Sequence, residues 1–508
     1  MKSPEAVIEI GSTGIRLMVC ELTSQGSWET VDFSEQPVSL GRDVFTSGII
    51  SRDTLLQCLH ILNRFREQLA GWKIANEHIS VIATSALREA RNRDTVVDRI
   101  QVKTGFSIRV VNGIEENRFI YLAVLEALHR DAPRIQRQNS VILEIGGGST
   151  EIMLFEQGKM AAVHSLRLGT VIIEQYAKSM MGSRHDARRF LEDFIKNAGV
   201  NLNTEANLQK IRQFITVGSE MQIAAREAGK KIGKRIRSID RERFSAFVDE
   251  VQQYSADECM ARFKIGYTEA RALPVGLLSY KLFIELTSAK KIIVSDTSIR
   301  EGLLLSKLPG QSSLQEDFIS QIIASALNIG KKYRIDENHA QYVRKMALLI
   351  YDKMESELGL DKEARVLLEV ASILHDVGMF IRGSDHQLHS QYIISHSDIF
   401  GLTKDRIQVV ALVARYHNGP LRRLSEEAFV TLPRSDRTLV LKLAAILRIA
   451  DALDRSHSQH ITDIRIILKE DSLIIKIPRS YNMNLEKTAL AEKADLFESV
   501  FGYNVRIA

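Results

Sequence analysis

The chain has little of what defines several protein classes. It carries three cysteines in 508 residues, Cys20, Cys58 and Cys259. So odd, sparse and widely spaced a set makes neither a disulfide framework nor a zinc site, and it suits a reducing compartment. Eight prolines and 6% aromatics exclude collagen-like and proline-rich architectures. The opening stretch MKSPEAVIEI has no signal-peptide apolar core. No segment approaches the roughly 20 apolar residues that span a bilayer. The expectation is a cytoplasmic protein with no membrane partner. A strong excess of one charge is missing too: 68 Lys+Arg against 63 Asp+Glu leave a net +5. That argues against a dedicated nucleic-acid binder and leaves room for a local basic patch facing an acidic ligand.

What remains is an ordinary globular composition, 45% hydrophobic and 26% charged. At roughly 150 residues per domain, the length predicts about three domains. The first 305 residues read as mixed α/β. Short Val/Ile-rich runs predict strands at Ala6–Ile10, Ile15–Leu22, Ile79–Thr84, Ile108–Val111, Val141–Ile145, Ile152–Phe155, Phe214–Val217 and Ile292–Val294. Ser51 reads as the N-cap of one helix, and Gly199 as the C-cap of another running from about 187 to 197. Ser306–Glu316 combines Pro, Gly and Ser and reads as a linker. From about 317 to 457 the periodicity is helical. A hairpin is expected at Ile464–Leu468 and Leu473–Ile477, then a last helix over Lys487–Phe501.

A repeat organises the first half. Val7–Val19 reads VIEIGSTGIRLMV and Ile142–Phe155 reads ILEIGGGSTEIMLF. Each is an apolar strand ending in Glu-Ile-Gly, a turn of small residues, and a second apolar strand. Two copies suggest two similar lobes facing a cleft. Small residues let backbone N–H groups approach an anion, so Gly11, Ser12 and Thr13 in one copy, and Gly146, Gly147, Gly148 and Ser149 in the other, are candidate phosphate contacts. Glu9 and Glu144, just before the turns, could hold Mg²⁺ directly or through water. A lone copy reads first as a tight turn; two matched copies with preceding carboxylates reverse that reading.

Other residues carry two readings each. Glu115 and Glu116 in NGIEENR are either a solvated acidic helix start or a source of one carboxylate that activates water. Arg88 in TSALR and Arg300 in SIREGLL are either surface ion pairs or phosphate clamps. The basic run from Arg226 to Arg243 is either a solvated face or an attractor for a polyanion.

Taken in order, EIGSTGIRLMV (9–19), ATSALREARN (83–92), NGIEENRFIYLAV (112–124), LEIGGGSTEIML (143–154), SLRLGTV (165–171), ALPVGL (272–277) and SIREGLL (298–304) resemble the exopolyphosphatase / guanosine pentaphosphate phosphohydrolase (Ppx/GppA) family. The resemblance implies an actin-like, ribonuclease H-like two-lobe fold over 1–122 and 123–306. It implies release of a terminal phosphate from polyphosphate, or of the 5′ γ-phosphate from pppGpp, assisted by Mg²⁺, and a homodimer. By motif, Glu116 matches the catalytic base, Arg88 the phosphate-contacting arginine and Glu151 an acidic residue of the second turn. The chain departs from the family in having Glu9 and Glu144 where Asp is usual. Its third small-residue turn, Val217–Met221, holds Glu220 where a small neutral residue is common. Those departures keep open a second reading, a catalytically weak sensor of polyphosphate or alarmone.

In the helical half, His375 and Asp376 sit side by side in ILHDVGM, and an unpaired buried Asp would be costly. With His339 and Asp451 they resemble the HD phosphohydrolase superfamily over about 335–457, with His389 and His417 as further metal ligands. This implies a mainly α-helical HD-type domain (315–457), a second divalent metal and a third reading, nucleotide phosphohydrolysis in that domain. A small α+β piece (458–508) follows.

Overall fold

Apolar runs become strands where neighbours can cover both faces, and the repeat shows how. In the computed structural model, which describes residues 4–23, 28–131, 138–179, 184–307, 312–419, 427–459, 461, 464–469, 471–477 and 483–508, the chain divides into two units, Met1–Phe318 and Ile319–Ala508.

Unit 1 contains two sheets. The first has strands β1 (Glu5–Ile10), β2 (Gly14–Leu22), β3 (Trp28–Pro37), β4 (Ile79–Ala83) and β5 (Ile108–Val110) in the order β3-β2-β1-β4-β5. The second has β6 (Ser140–Ile145), β7 (Thr150–Glu156), β8 (Lys159–Leu166), β9 (Gln213–Val217), β10 (Lys230–Lys231), β11 (Ile236–Asp240) and β12 (Lys291–Ser295) in the order β10-β11-β12-β9-β6-β7-β8. The repeat is therefore a duplicated topology. In each lobe an antiparallel meander (β1-β2-β3 or β6-β7-β8) extends through its first strand into parallel partners. The central strands are buried almost throughout, as expected where both faces are covered. Each lobe has its own apolar core.

The registers match residue for residue but not charge for charge. Glu9 faces Arg16 across β1–β2, whereas Glu144 faces Glu151 across β6–β7.

Helix α1 (Arg52–Gly71) starts as expected at Ser51, whose side chain accepts from Thr54 N. Helices α2 (Ser85–Glu89), α3 (Gly113–Asp131) and α4 (Ser219–Ala228) follow β4, β5 and β9, so their first turns stand at the strands' C-terminal ends. Gly199 does not end a helix. The helix Arg184–Asn203 runs through it, and a Cβ there would lie 2.8 Å from Leu286 Cδ1, so its small size serves packing. Helix α5 (Ile299–Ser306) crosses α3 so closely that a Cβ on Gly302 would stand 1.8 Å from the Phe119 carbonyl oxygen. The two helices share a third apolar cluster with β1 through Val7, Phe119 and Leu303.

The expected linker is shorter than the composition indicated. A helix covers Ser312–Lys332, and 308–311 lie outside the described residues. Unit 2 is built on α6 (Glu337–Lys353), α7 (Lys362–Leu374), α8 (His386–Ser395), α9 (Lys404–Tyr416) and α10 (Arg434–Ala452). The latter half of α10 is buried on all sides, from Leu443 to Ala452. The hairpin forms as β13 (Arg465–Lys469) and β14 (Ser472–Lys476). The last expected helix is two, α11 (Asn484–Lys493) and α12 (Asp495–Phe501). A strand not foreseen, β15 (Asn504–Ile507), then pairs in parallel with β14. No helix among the described residues is long and apolar enough to cross a membrane.

Candidate active site

The two turns of the repeat are closed alike. Gly11 N donates to Gly14 O at 2.9 Å, and Gly146 N donates to Ser149 O at 2.8 Å. They face each other: a Cβ on Gly147 would lie 2.8 Å from Ser12 Cβ, and one on Gly148 would lie 2.6 Å from Ser85 Oγ. Ser12 and Ser85 hydroxyls are 3.0 Å apart. Glycine is required at Gly147 and Gly148 by this closeness rather than by an unusual φ.

Between the turns lies a cavity of about 1030 Å³. Its wall includes Glu9, Gly11, Ser12, Thr13, Glu116, Glu144, Gly146, Gly147, Ser149, Glu151 and Arg300. Of the residues expected at the phosphate, Arg88 and Gly148 stand behind this wall. Arg88 reaches it through Glu116, with which it forms an ion pair, and also donates to the Val111 carbonyl at 2.9 Å. Arg226, Lys231, Lys234, Arg235 and Arg237 of the basic run line the same cavity, so the run is no mere solvated face.

The cavity concentrates carboxylates. Burial pushes Glu116 above its usual range, against the pull of Arg88. Burial and the neighbouring Glu9 and Glu116 push Glu144 up to about 8. Burial and Glu116 push Glu151 well up, although Ser165 donates to it at 2.7 Å. Asn117 also donates to Glu151, at 2.7 Å. Glu9 is held by Arg300 and, at 3.6 Å, by Arg16, which also pairs with Glu35 at 2.7 Å. Arg16, Asn117 and Ser165 were not singled out in the sequence. The cross-strand position opposite Glu9 was the available signal for Arg16. Glu220 lines the cavity at the start of α4, with its carboxyl raised by burial.

The family model described as "Ppx/GppA phosphatase family" matches residues 19–311, and "Ppx/GppA phosphatase, domain III" matches 323–498. The chain belongs to the Ppx/GppA phosphatase family. A relative from Photobacterium profundum, named guanosine-5'-triphosphate,3'-diphosphate pyrophosphatase, is 23% identical over 94% of this chain and 92% of its own. One of the same name from Vibrio vulnificus is 25% identical over 87% of this chain and 86% of its own. Among solved structures, an exopolyphosphatase from Cytophaga hutchinsonii superposes with a TM-score of 0.54 at 21% identity, over 60% of this chain and 97% of that one. Unit 1 of this Ppx/GppA phosphatase thus has the actin-like two-lobe fold.

Unit 2, within the family's domain III, brings a second group together. His339 is in the first turn of α6, His375 follows α7, His386 opens α8, His417 follows α9 and Asp451 is near the end of α10. His339, His375 and Asp376 present ligand atoms within 4.8 Å of one another, as do Asp376, His386 and His417. Asp376 belongs to both groups: its Oδ2 lies 3.8 and 3.6 Å from Nε2 of His339 and His375, and its Oδ1 lies 3.0 and 3.4 Å from Nε2 of His386 and His417. His386, not the expected His389, takes part. His389 lies three residues further along α8, roughly 4.5 Å down the axis. Gly378 permits this assembly, since a Cβ there would stand 2.1 Å from the His386 carbonyl oxygen.

The imidazoles are oriented from behind. Nδ1 of His339 meets Asp454 at 2.8 Å, while Nδ1 of His375, His386 and His417 meet the carbonyls of Ser372 (2.9 Å), Gly383 (3.0 Å) and Ala414 (2.5 Å). Nε2 of His339 and His375, both fully buried, makes no hydrogen bond among the described residues. Burial lowers His417 to about 4, leaving it neutral, whereas Asp451 and Asp454 overcome the burial of His339 and raise it to about 9.

Proposed function

We propose that unit 1 hydrolyses a terminal phosphoanhydride, releasing phosphate from the end of inorganic polyphosphate, from the 5′ γ position of pppGpp, or from both. The observation that carries this is the pair of equivalent turns facing across one cavity with Glu116 and eight basic side chains, five of them from the 226–243 run, in its wall. The names of the relatives supply the two candidate substrates.

In this reading the terminal phosphate lies between the turns, contacted by their backbone N–H groups and by Ser12, Thr13 and Ser149. Arg88 and Arg300, now on Glu116 and Glu9, turn to phosphate oxygens as the anion arrives. Water attacks phosphorus, the bridging P–O bond breaks, and Glu116 takes the water's proton. A carboxyl raised by burial is a better base for this than an ordinary one. Mg²⁺ suits the cleft because Glu144 and Glu151 face each other on neighbouring strands, where like charges repel. The described carboxylates of the cleft do not converge as a ligand cage. That fits an ion held by one or two carboxylates with phosphates and water. When bound, such an ion would balance phosphate charge. Glu9 would join Glu144 and Glu151 as a ligand only once Arg300 leaves it.

The test is a phosphate-release panel on polyphosphate, pppGpp and simple nucleotides. Glu116→Gln should reduce turnover about 10²–10⁴-fold with the fold intact by circular dichroism. Unchanged turnover refutes the role. Tight binding of either substrate by the wild type without release, across several metals, would favour the sensor reading.

For unit 2 we propose an HD-type centre for one or two divalent ions, held by His339, His375, Asp376 and Asp451 with His386 and His417. Support comes from the buried Nε2 atoms of His339 and His375 and from the protein groups fixing every opposite ring nitrogen, as metal-ligating histidines require. Mixed nitrogen and oxygen donors favour Mn²⁺, Fe²⁺, Co²⁺ or Zn²⁺ over Mg²⁺. Absence of ion from the purified protein, with no loss of stability on chelation, would sink this.

A further inference from the structure

One arm of the unit 2 centre differs from the others. Asp451 Oδ1 lies 3.4 Å from His339 Nε2 and 3.7 Å from His375 Nε2, yet Asp451 belongs to neither convergent group. Its other oxygen, Oδ2, accepts an ion pair from Lys493. Lys493 is 7% exposed and is the last residue of α11, in the C-terminal piece. That helix end is fixed on α10: Arg448 donates through Nε to the Lys493 carbonyl at 3.0 Å and through a terminal nitrogen to Asp495 at 2.7 Å. A buried ammonium so anchored cannot move to solvent without parting α11 from α10. Burial opposes the charge on Asp451, but Lys493 and the imidazoles outweigh it and keep the carboxyl well below its usual range.

We infer that Lys493 is an internal counter-cation competing with a divalent ion for Asp451, so that the C-terminal helix α11 sets the metal affinity of the unit 2 centre. This rests on reading that centre as a metal site. A carboxylate already neutralised on one oxygen gives less to an ion on the other, and an ammonium behind it repels that ion through poorly screened surroundings. Lys493 is thus a positioning residue acting through Asp451, and displacing α11 would convert a lysine-neutralised centre into one with a free third arm.

The experiment titrates the full chain, stripped with chelator, with Co²⁺ and follows its visible absorption. Asp376→Ala serves as the blank for ions bound in the cleft. Lys493→Met should bind Co²⁺ about tenfold tighter than wild type or more, melt lower without metal, and recover more on loading. Lys493→Gln repeats the charge loss with a different shape in case the first variant does not fold. Lys493→Arg keeps the charge and should keep the wild-type affinity. Adding Asp451→Asn to Lys493→Met should cancel the gain. If wild type binds Co²⁺ and both neutral variants bind it equally or more weakly, the inference is overturned while the metal reading stands. Tighter binding by Lys493→Arg also overturns it, since packing rather than charge would then be responsible. If neither wild type nor the neutral variants exceed the blank, the metal reading fails and takes this inference with it.

Discussion

The cleft of unit 1 and the centre of unit 2 both bury carboxylates, and they neutralise them by different means. In the cleft the partners are guanidinium groups: Arg88 on Glu116, Arg300 and Arg16 on Glu9. In unit 2 they are imidazoles, His386 on Asp376 and His339 beside Asp451 and Asp454, with the Lys493 ammonium on Asp451. Arginine does not give up its proton at any ordinary pH, so the cleft can free its carboxylates only by offering the arginines another anion. Imidazole can lose its proton, so a cation can replace it. On the proposed functions, the first arrangement would suit an incoming phosphate chain and the second an incoming metal.

Substitutions can break that contrast. After Glu116→Gln, the largest effect is expected from Arg88→Ala, which strands buried Glu116 and removes the proposed phosphate contact. The value of kcat/KM should fall about 10²–10³-fold. Arg88→Lys keeps the charge without the planar fork and should recover only part of this, as steady-state phosphate release will read. Next comes Asp376→Ala, which removes the residue common to both unit 2 groups. Wild type in a divalent ion at about 1,000 times Kd should gain about 4 kcal/mol. That shifts the unit 2 melting transition by on the order of 10 °C, followed by calorimetry. The variant should show no such shift and should keep phosphate release within about twofold.

A smaller effect belongs to the basic run. Lys231→Glu with Lys234→Glu should raise KM for long polyphosphate about three- to tenfold at low salt, with kcat unchanged. The difference should fade as salt shortens the Debye length. The smallest concerns Glu144. Its folded carboxyl is raised to about 8, well above the ordinary value of 4.5. Its contribution to stability is therefore complete below about 4.5 and is lost progressively as pH rises to 8. Glu144→Gln should flatten the decline of melting temperature between pH 5 and 8 in chelator, measured by thermal scans.

Much of unit 1 was legible because its strands are uninterrupted apolar runs and its turns are made of small residues at fixed offsets. β3 was not, since Trp28–Pro37 alternates charged and apolar residues at an exposed edge and offers no apolar run. β8 was missed because Lys159–Leu166 mixes two alanines with Lys159, His164 and Ser165 and offers no Val/Ile run, and β15 because it is four residues pairing with a strand far back in sequence. At the site, Glu116, Glu144 and Glu151 could be named from local motifs. Arg16 and Lys493 could not, because what makes them matter is a cross-strand register in one case and a tertiary contact between α11 and α10 in the other. His386 and His389 are nearly indistinguishable in sequence, and only the start point of α8 separates them.

The strand register of the two lobes carries one more consequence. Two identical copies of the strand-turn-strand unit would place the same side chains on both walls of the cleft. Here the position opposite the first acid is Arg16 in one copy and Glu151 in the other. The backbone repeats and the charge inverts, so the groove has a polarity. On the proposed function, a phosphate chain in the cleft would meet an arginine paired with Glu9 on one wall and two carboxyls raised by burial on the other, so the two walls would not be interchangeable to it.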